Sequence, residues 1–173
     1  MTIKEELALV KSVKNGDKEA LSRLWDDINP KLYGYLMNVL KDKERADDIL
    51  QSTWLKAIEN ITKFTDRGVR FSAWLFAISK NECKQLWRQD KKNQSLDTEG
   101  AELDMAVQMK NQLEDNLLVE DIFKKLTVDE QEILRLRFIG QLDFKEIASI
   151  MVISVITARV RLYRVLKKAR GLT

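Results

Sequence analysis

Five cations, Arg159, Arg161, Arg164, Lys167 and Lys168, crowd one short stretch near the C-terminus. All fall outside the apolar stripe Val155, Ala158, Leu162, Val165, Leu166 and Ala169, which recurs at helical spacing. Such groups neutralise phosphates, and an arginine fork fitted to the major-groove edge of guanine discriminates by about 1–3 kcal/mol. The residues before them supply what a docking helix needs. Asp143, with Glu146 three positions on, makes a capping-box pattern, and Phe144, Ile147, Ala148 and Met151 keep a helical period. Ser154 is placed to cap the cationic helix. Two capped helices joined by a tight turn, the second apolar inside and cationic outside, suit the major groove of duplex DNA.

A second basic group lies in residues 61–92. Phe64, Phe71, Trp74, Phe76 and Trp87 alternate there with Lys63, Arg67, Arg70, Lys80, Lys84, Arg88, Lys91 and Lys92. Cations and exposed aromatic faces together bind single-stranded or melted DNA, each stacked base adding roughly 1–3 kcal/mol. The aromatics also read as core, since Phe71 with Leu75, and Trp74 with Leu75 and Ile78, share helical faces. Lys80, Asn81, Lys84 and Arg88 do not read as core; their spacing draws one polar stripe along a helix.

The rest of the composition narrows the classes. Histidine is absent, which removes histidine-based nucleophilic catalysis and zinc sites. Cys83 is the single cysteine, so no intrachain disulfide forms, and its apolar surroundings mark a core filler. No glycine-rich phosphate loop occurs. No catalytic residue, metal site or cofactor is expected. No run of 18 apolar residues and no signal-like N-terminus appear, so no membrane insertion and a cytoplasmic location are expected. The net charge of +3 conceals a pattern: residues 63–92 carry +5, residues 93–130 carry −7 and residues 131–173 carry +6. Two basic zones separated by an acidic stretch fit two nucleic-acid contacts and a solvated connector.

These groups require helices to position them. One proline, six glycines and almost no period-two alternation point to an all-α chain. The spacing predicts helices over 3–14, 17–28, 31–40, 43–59, 71–91, 114–125, 128–138, 143–151 and 155–170. Asn15-Gly16-Asp17 marks a stop followed by a cap, and Pro30 marks a helix start after Asn29. Two small helical domains, 1–92 and 113–173, are expected, joined by an acidic linker over 93–112.

Four pieces in order resemble the extracytoplasmic-function, or group 4, sigma factors of the bacterial sigma-70 family. They are Gly16-Asp17-x-x-Ala20-Leu21-x-x-Leu24-Trp25, the run Ala46 to Ala57, Phe71-Ser72-Ala73-Trp74-Leu75-x-x-Ile78-x-x-Asn81 followed by Arg88, and Leu126-x-x-x-Glu130-Gln131-x-x-Leu134-x-Leu136-Arg137-Phe138 leading into the helix-turn-helix. The resemblance implies a region 2 bundle, a region 4 helix-turn-helix, and an alternative sigma factor that is not itself an enzyme. It implies core RNA polymerase as partner, through the β′ clamp helices and the β flap, together with promoter DNA and, commonly in the family, an anti-sigma factor. It places polymerase contacts at Asp47, Asp48, Gln51, Trp54 and Leu55, and −10 contacts at Lys80, Asn81, Lys84 and Arg88. Loop 62–70 would border a flipped-out base. Base-edge contacts to the −35 element fall on Arg159, Val160, Tyr163 and Arg164, with phosphate or flanking contacts on Ser154, Thr157, Arg161 and Lys167.

Three positions depart from the family pattern. Val152 stands where a turn glycine is usual, Val160 where a small polar residue is usual, and Gln85 where an aspartate is common. A valine at Val152 requires either a different turn backbone or strain. Two other readings remain at this stage: a free-standing helix-turn-helix regulator, and a sigma-like decoy that binds polymerase or an anti-sigma factor without reading promoters.

Overall fold

The computed structural model describes residues 1–66, 68–95 and 117–171; most of the expected linker lies outside them. Helices α1 (Ile3–Lys14), α2 (Lys18–Leu40), α3 (Lys43–Glu59) and α4 (Phe71–Ser95) make the N-terminal half, with one 3-10 turn at Ile61–Lys63. Helices α5 (Leu117–Lys124), α6 (Val128–Leu134), α7 (Phe144–Met151) and α8 (Val155–Arg170) make the C-terminal half. No strand occurs among the described residues. Side-chain caps fix most helix starts: Thr2, Asp17, Asp42, Thr127, Asp143 and Ser154 each accept a backbone N–H three residues on. Each such cap contributes about 1 kcal/mol.

Pro30 does not start a helix. The expected pair 17–28 and 31–40 is one continuous helix, α2, with Pro30 inside it. An interior proline costs about 3 kcal/mol and leaves the carbonyl four residues back, on Asp26, unpaired. Pro30 and Asp26 are both exposed, so the break in the ladder falls on the solvent side of the helix. Meanwhile Ala20, Leu24, Ile28, Leu32, Tyr35 and Leu36 are buried on one uninterrupted stripe, which holds both halves of the helix to the same core. The expected helix 128–138 also changes character. Its regular part ends at Leu134, and Arg135–Ile139 forms a π-helical turn closed by Gly140 N–H to the Arg135 carbonyl at 3.0 Å.

The two halves share one apolar core. Leu24, Leu32, Phe71 and Leu75 on one side and Ile133, Leu136, Ile147 and Ala158 on the other are all buried. The π-helical turn packs on α2 at Gly34 and on Phe76 of α4 at Gly140. A Cβ on Gly34 would lie 3.4 Å from the Ile139 methyl, and one on Gly140 would lie 2.8 Å from the Leu136 carbonyl and 3.1 Å from the Phe76 ring. Polar bonds frame the contact. Tyr35 Oη donates to Glu132 at 2.9 Å, and Arg135 Nε donates to Asn38 Oδ1 at 2.8 Å. The Arg70 guanidinium grips both oxygens of buried Glu146 at 2.6 and 2.7 Å.

Candidate nucleic-acid interface

The turn before α8 adopts the strained alternative. Val152 sits in the left-handed region at φ 55° and ψ 50°, and the Ile153 N–H returns to the Ala148 carbonyl at 3.0 Å. That geometry turns the chain tightly, so Ser154 caps α8 through the Thr157 N–H at 3.0 Å. The Ser154 and Thr157 hydroxyls also pair with each other at 2.8 Å. The capping box at Asp143 forms as the spacing requires, with reciprocal bonds to Glu146 of 2.8 and 2.9 Å. Glu146 has a second role that no local pattern announced, as the partner of Arg70.

The α8 cations divide into two sets. Arg161 pairs with Asp129 at 3.0 Å and Lys168 with Glu130 at 2.8 Å, so both brace α8 against α6. Lys168, by hydrogen bonding, holds the Glu130 carboxyl below its ordinary range. Arg161, expected at a phosphate, is thus held at the flank of the helix. Arg159 lies with its guanidinium 5.6 Å from the centre of the Phe144 ring. Arg164 and Lys167 are exposed and make no hydrogen bond or ion pair among the described residues. Val160 and Tyr163 are exposed beside them.

On α4, Asn81, Lys84 and Arg88 are exposed along one face, while Lys80 is half-buried and lies 3.5 Å from Glu132 of α6. Lys80, Lys84 and Arg88 form one wall of a cleft of about 430 Å³, with Val128, Asp129 and Glu132 on the opposite wall. Buried Cys83 lines it as well, its thiol pushed up to about 12, first by desolvation and then by Glu132 and Glu82. Phe64, Phe71 and Phe76 are buried and belong to the core, with ring contacts of 5.3–5.4 Å to one another or to Tyr35. Trp74 and Trp87 are half-buried. Lys63, Phe64, Thr65 and Val69 enclose, with Trp74 and with Ser149 and Ile150 of α7, a second cavity of about 250 Å³. The start of α4 is held by Glu6, whose buried carboxylate accepts from the Ser72 N–H and hydroxyl.

The acidic face of α3 is exposed at Asp47, Asp48, Gln51 and Leu55. It points away from α4 because Lys56 and Ser52 bond Glu82 at 2.6 and 2.7 Å, and Arg45 bonds Asp90 at 2.7 Å. Trp54 differs from its expected place. It is 2% exposed, its indole N–H donates to Asn29 at 3.2 Å, and Trp25 covers it with ring centres 4.8 Å apart. The spacing held that signal, because Trp54 continues the buried stripe Ala46, Leu50 and Ala57. The exposed apolar surface on this side comes from Leu55, Ile58 and Trp25.

Comparison with known proteins follows the same division. Residues 24–93 match the family model of Sigma-70 region 2, and residues 116–168 match that of Sigma-70, region 4. The chain is 30% identical over 168 residues to the ECF RNA polymerase sigma factor SigW of Bacillus subtilis, covering 90% of this chain and 89% of that one. Its fold is similar to CnrH in the structure of CnrH with the cytosolic domain of CnrY. There the TM-score is 0.69 and the identity 20%, over 97% of this chain and 96% of that one. It is also similar to the sigma factor RpoE of Bartonella quintana, solved with the anti-sigma factor NepR. That match has a TM-score of 0.68 and 21% identity, over 88% of this chain and 95% of that one.

Proposed function

The chain belongs to the extracytoplasmic-function group of the bacterial sigma-70 family, and we propose that it divides the work of an alternative sigma factor among three helix faces. It binds core RNA polymerase and directs promoter-specific initiation, with no chemistry of its own. Asp47, Asp48, Gln51 and Leu55 on α3 dock the β′ clamp helices, their charge steering the encounter and the exposed Leu55 and Trp25 adding apolar contact. Lys80, Asn81, Lys84 and Arg88 on α4 track the −10 element. The cavity behind loop 62–70 receives an unstacked base, whose extrusion costs a few kcal/mol that neighbouring cations and aromatic walls offset. Arg159, Val160, Tyr163 and Arg164 on α8 read the −35 element, with Ser154, Thr157 and Lys167 at its edge. Residues 1–92 and 113–173 act as separate modules joined by the acidic segment 93–112, and the C-terminal module meets the β flap. The protein acts in the bacterial cytoplasm, where an anti-sigma factor restrains it.

The observation that carries this reading is the presence of three separate exposed charged faces, one acidic on α3 and two cationic on α4 and α8. They fall in the order of the two matched family regions. The experiment is binding of the purified chain to bacterial core polymerase, followed by run-off transcription from a promoter library. Tight binding with transcription from one promoter class is expected. Binding without transcription would replace the reading with the decoy, and duplex binding without polymerase affinity would replace it with a free-standing regulator. Within a positive result, Asp48→Ala with Gln51→Ala should weaken polymerase binding and leave the helical signal unchanged. Unchanged affinity would move the polymerase contact off α3.

A further inference from the structure

The outward spine of α8 is not cationic at its leading end. Ile156, Val160, Tyr163 and Lys167 follow one another at spacings of four, three and four, so they lie in one row along the helix. Ile156 is 74% exposed, Val160 40% and Tyr163 68%, and Val152 in the preceding turn is 89% exposed. A buried partner would be the ordinary reason for such aliphatics, and the described residues provide none. The surroundings select the occupant. Arg159 flanks the row on one side and Arg164 on the other, Lys167 closes its far end, and α8 carries no acidic residue. A polyanion fits this frame, and an acidic row does not interrupt it.

Inside the major groove, an aliphatic side chain has one favourable counterpart, the C5-methyl of thymine. Against cytosine, adenine or guanine the same side chain covers an amino group or ring acceptor without satisfying it. We infer that the −35 element of this chain presents thymine methyl groups to Ile156 and Val160, making these two exposed aliphatics specificity determinants. Arg164 and Arg159 then supply the phosphate or purine contacts on either side of the apolar pair. The inference rests on the sigma-factor reading and adds the chemical nature of the base contact.

The test uses holoenzyme assembled from core polymerase and the full chain, with a fixed −10 element and a randomised −35 element. Run-off transcripts should be enriched for thymine at two neighbouring positions, counting either strand. Replacing those thymines by deoxyuridine, which removes only the methyl, should weaken promoter binding by about fourfold per site. Ile156→Ser and Val160→Ser, both at exposed positions, should each erase the thymine–uracil difference at one site. Equal binding of the thymine and uracil promoters, or selected elements without thymine, would overturn the inference while transcription itself upheld the sigma reading. No transcription from any template would overturn both.

Discussion

Val152 carries a β-branched side chain at φ 55°, where crowding against its own backbone costs roughly 1–2 kcal/mol. The side chain is almost wholly exposed, so little packing compensates. Val152→Gly should therefore raise the stability of the free protein by about 0.5–1 kcal/mol, part of the relief being offset by the freer unfolded glycine. A urea midpoint that rises with an unchanged slope is the expected reading, and a fall would mean Val152 is held by contacts that matter. Glu6 poses a different residue-scale problem. Burial raises its carboxyl pKa despite the Ser72 N–H, the Ser72 hydroxyl and the nearby Arg70, which all favour the charged form. The folded state then holds this proton more tightly than the unfolded chain does. Its contribution is present below the ordinary carboxylate range and is lost as pH rises through the raised folded value. Glu6→Gln keeps an oxygen acceptor for the Ser72 N–H and removes the buried charge. Its stability relative to wild type should improve as pH rises from the ordinary carboxylate range through the raised folded value. Parallel denaturation curves across that range would show that Glu6 is no burden when charged.

At the scale of elements, the π-helical turn Arg135–Ile139 is the piece that joins the two halves. It widens the end of α6, so that Leu136 and Gly140 face the core together, and it leaves no room for a Cβ at Gly140. Gly140→Ala should cost on the order of 1–3 kcal/mol, because the 2.8 Å contact is with the backbone carbonyl of Leu136, which cannot rotate away. Thermal unfolding would report this, and a variant as stable as wild type would mean that the turn relaxes. This turn also shows where reading the sequence stops. The caps at Asp17, Asp143 and Ser154 were legible because a cap is decided within four residues. The all-α class and most helix bounds were legible for a similar reason, since the helical period is a local quantity. Pro30 misled because its cost depends on which way the Asp26 carbonyl faces. Trp54 misled because the resemblance placed it on the polymerase face, although its own spacing continues the buried stripe Ala46, Leu50 and Ala57. The bonds of Arg70 to Glu146 and Tyr35 to Glu132 join residues 76 and 97 positions apart, and no local pattern encodes them.

For the whole molecule, the closed packing of the two halves bears on DNA binding. Lys80 belongs to the proposed −10 stripe, yet it faces Glu132 across the cleft at 3.5 Å. Asp129 and Glu132 line the wall opposite Lys84 and Arg88. A strand laid along α4 would bring its phosphates toward those carboxylates, so α6 must move off α4 before the full stripe is available. Resistance to that opening comes from the Arg70–Glu146 fork, the Tyr35–Glu132 bond and the glycine contacts at Gly34 and Gly140. Glu132→Gln keeps an acceptor for Tyr35 and removes the charge that holds Lys80. The free variant should bind a single-stranded −10 oligonucleotide several-fold more tightly than wild type at low salt, where a one-charge change is least screened. In holoenzyme the same substitution should change promoter affinity little, provided polymerase has already drawn the C-terminal half toward the −35 element. A gain in both states would make Glu132 a plain repulsive charge beside the DNA. A gain in neither would mean that the strand does not run along Lys80.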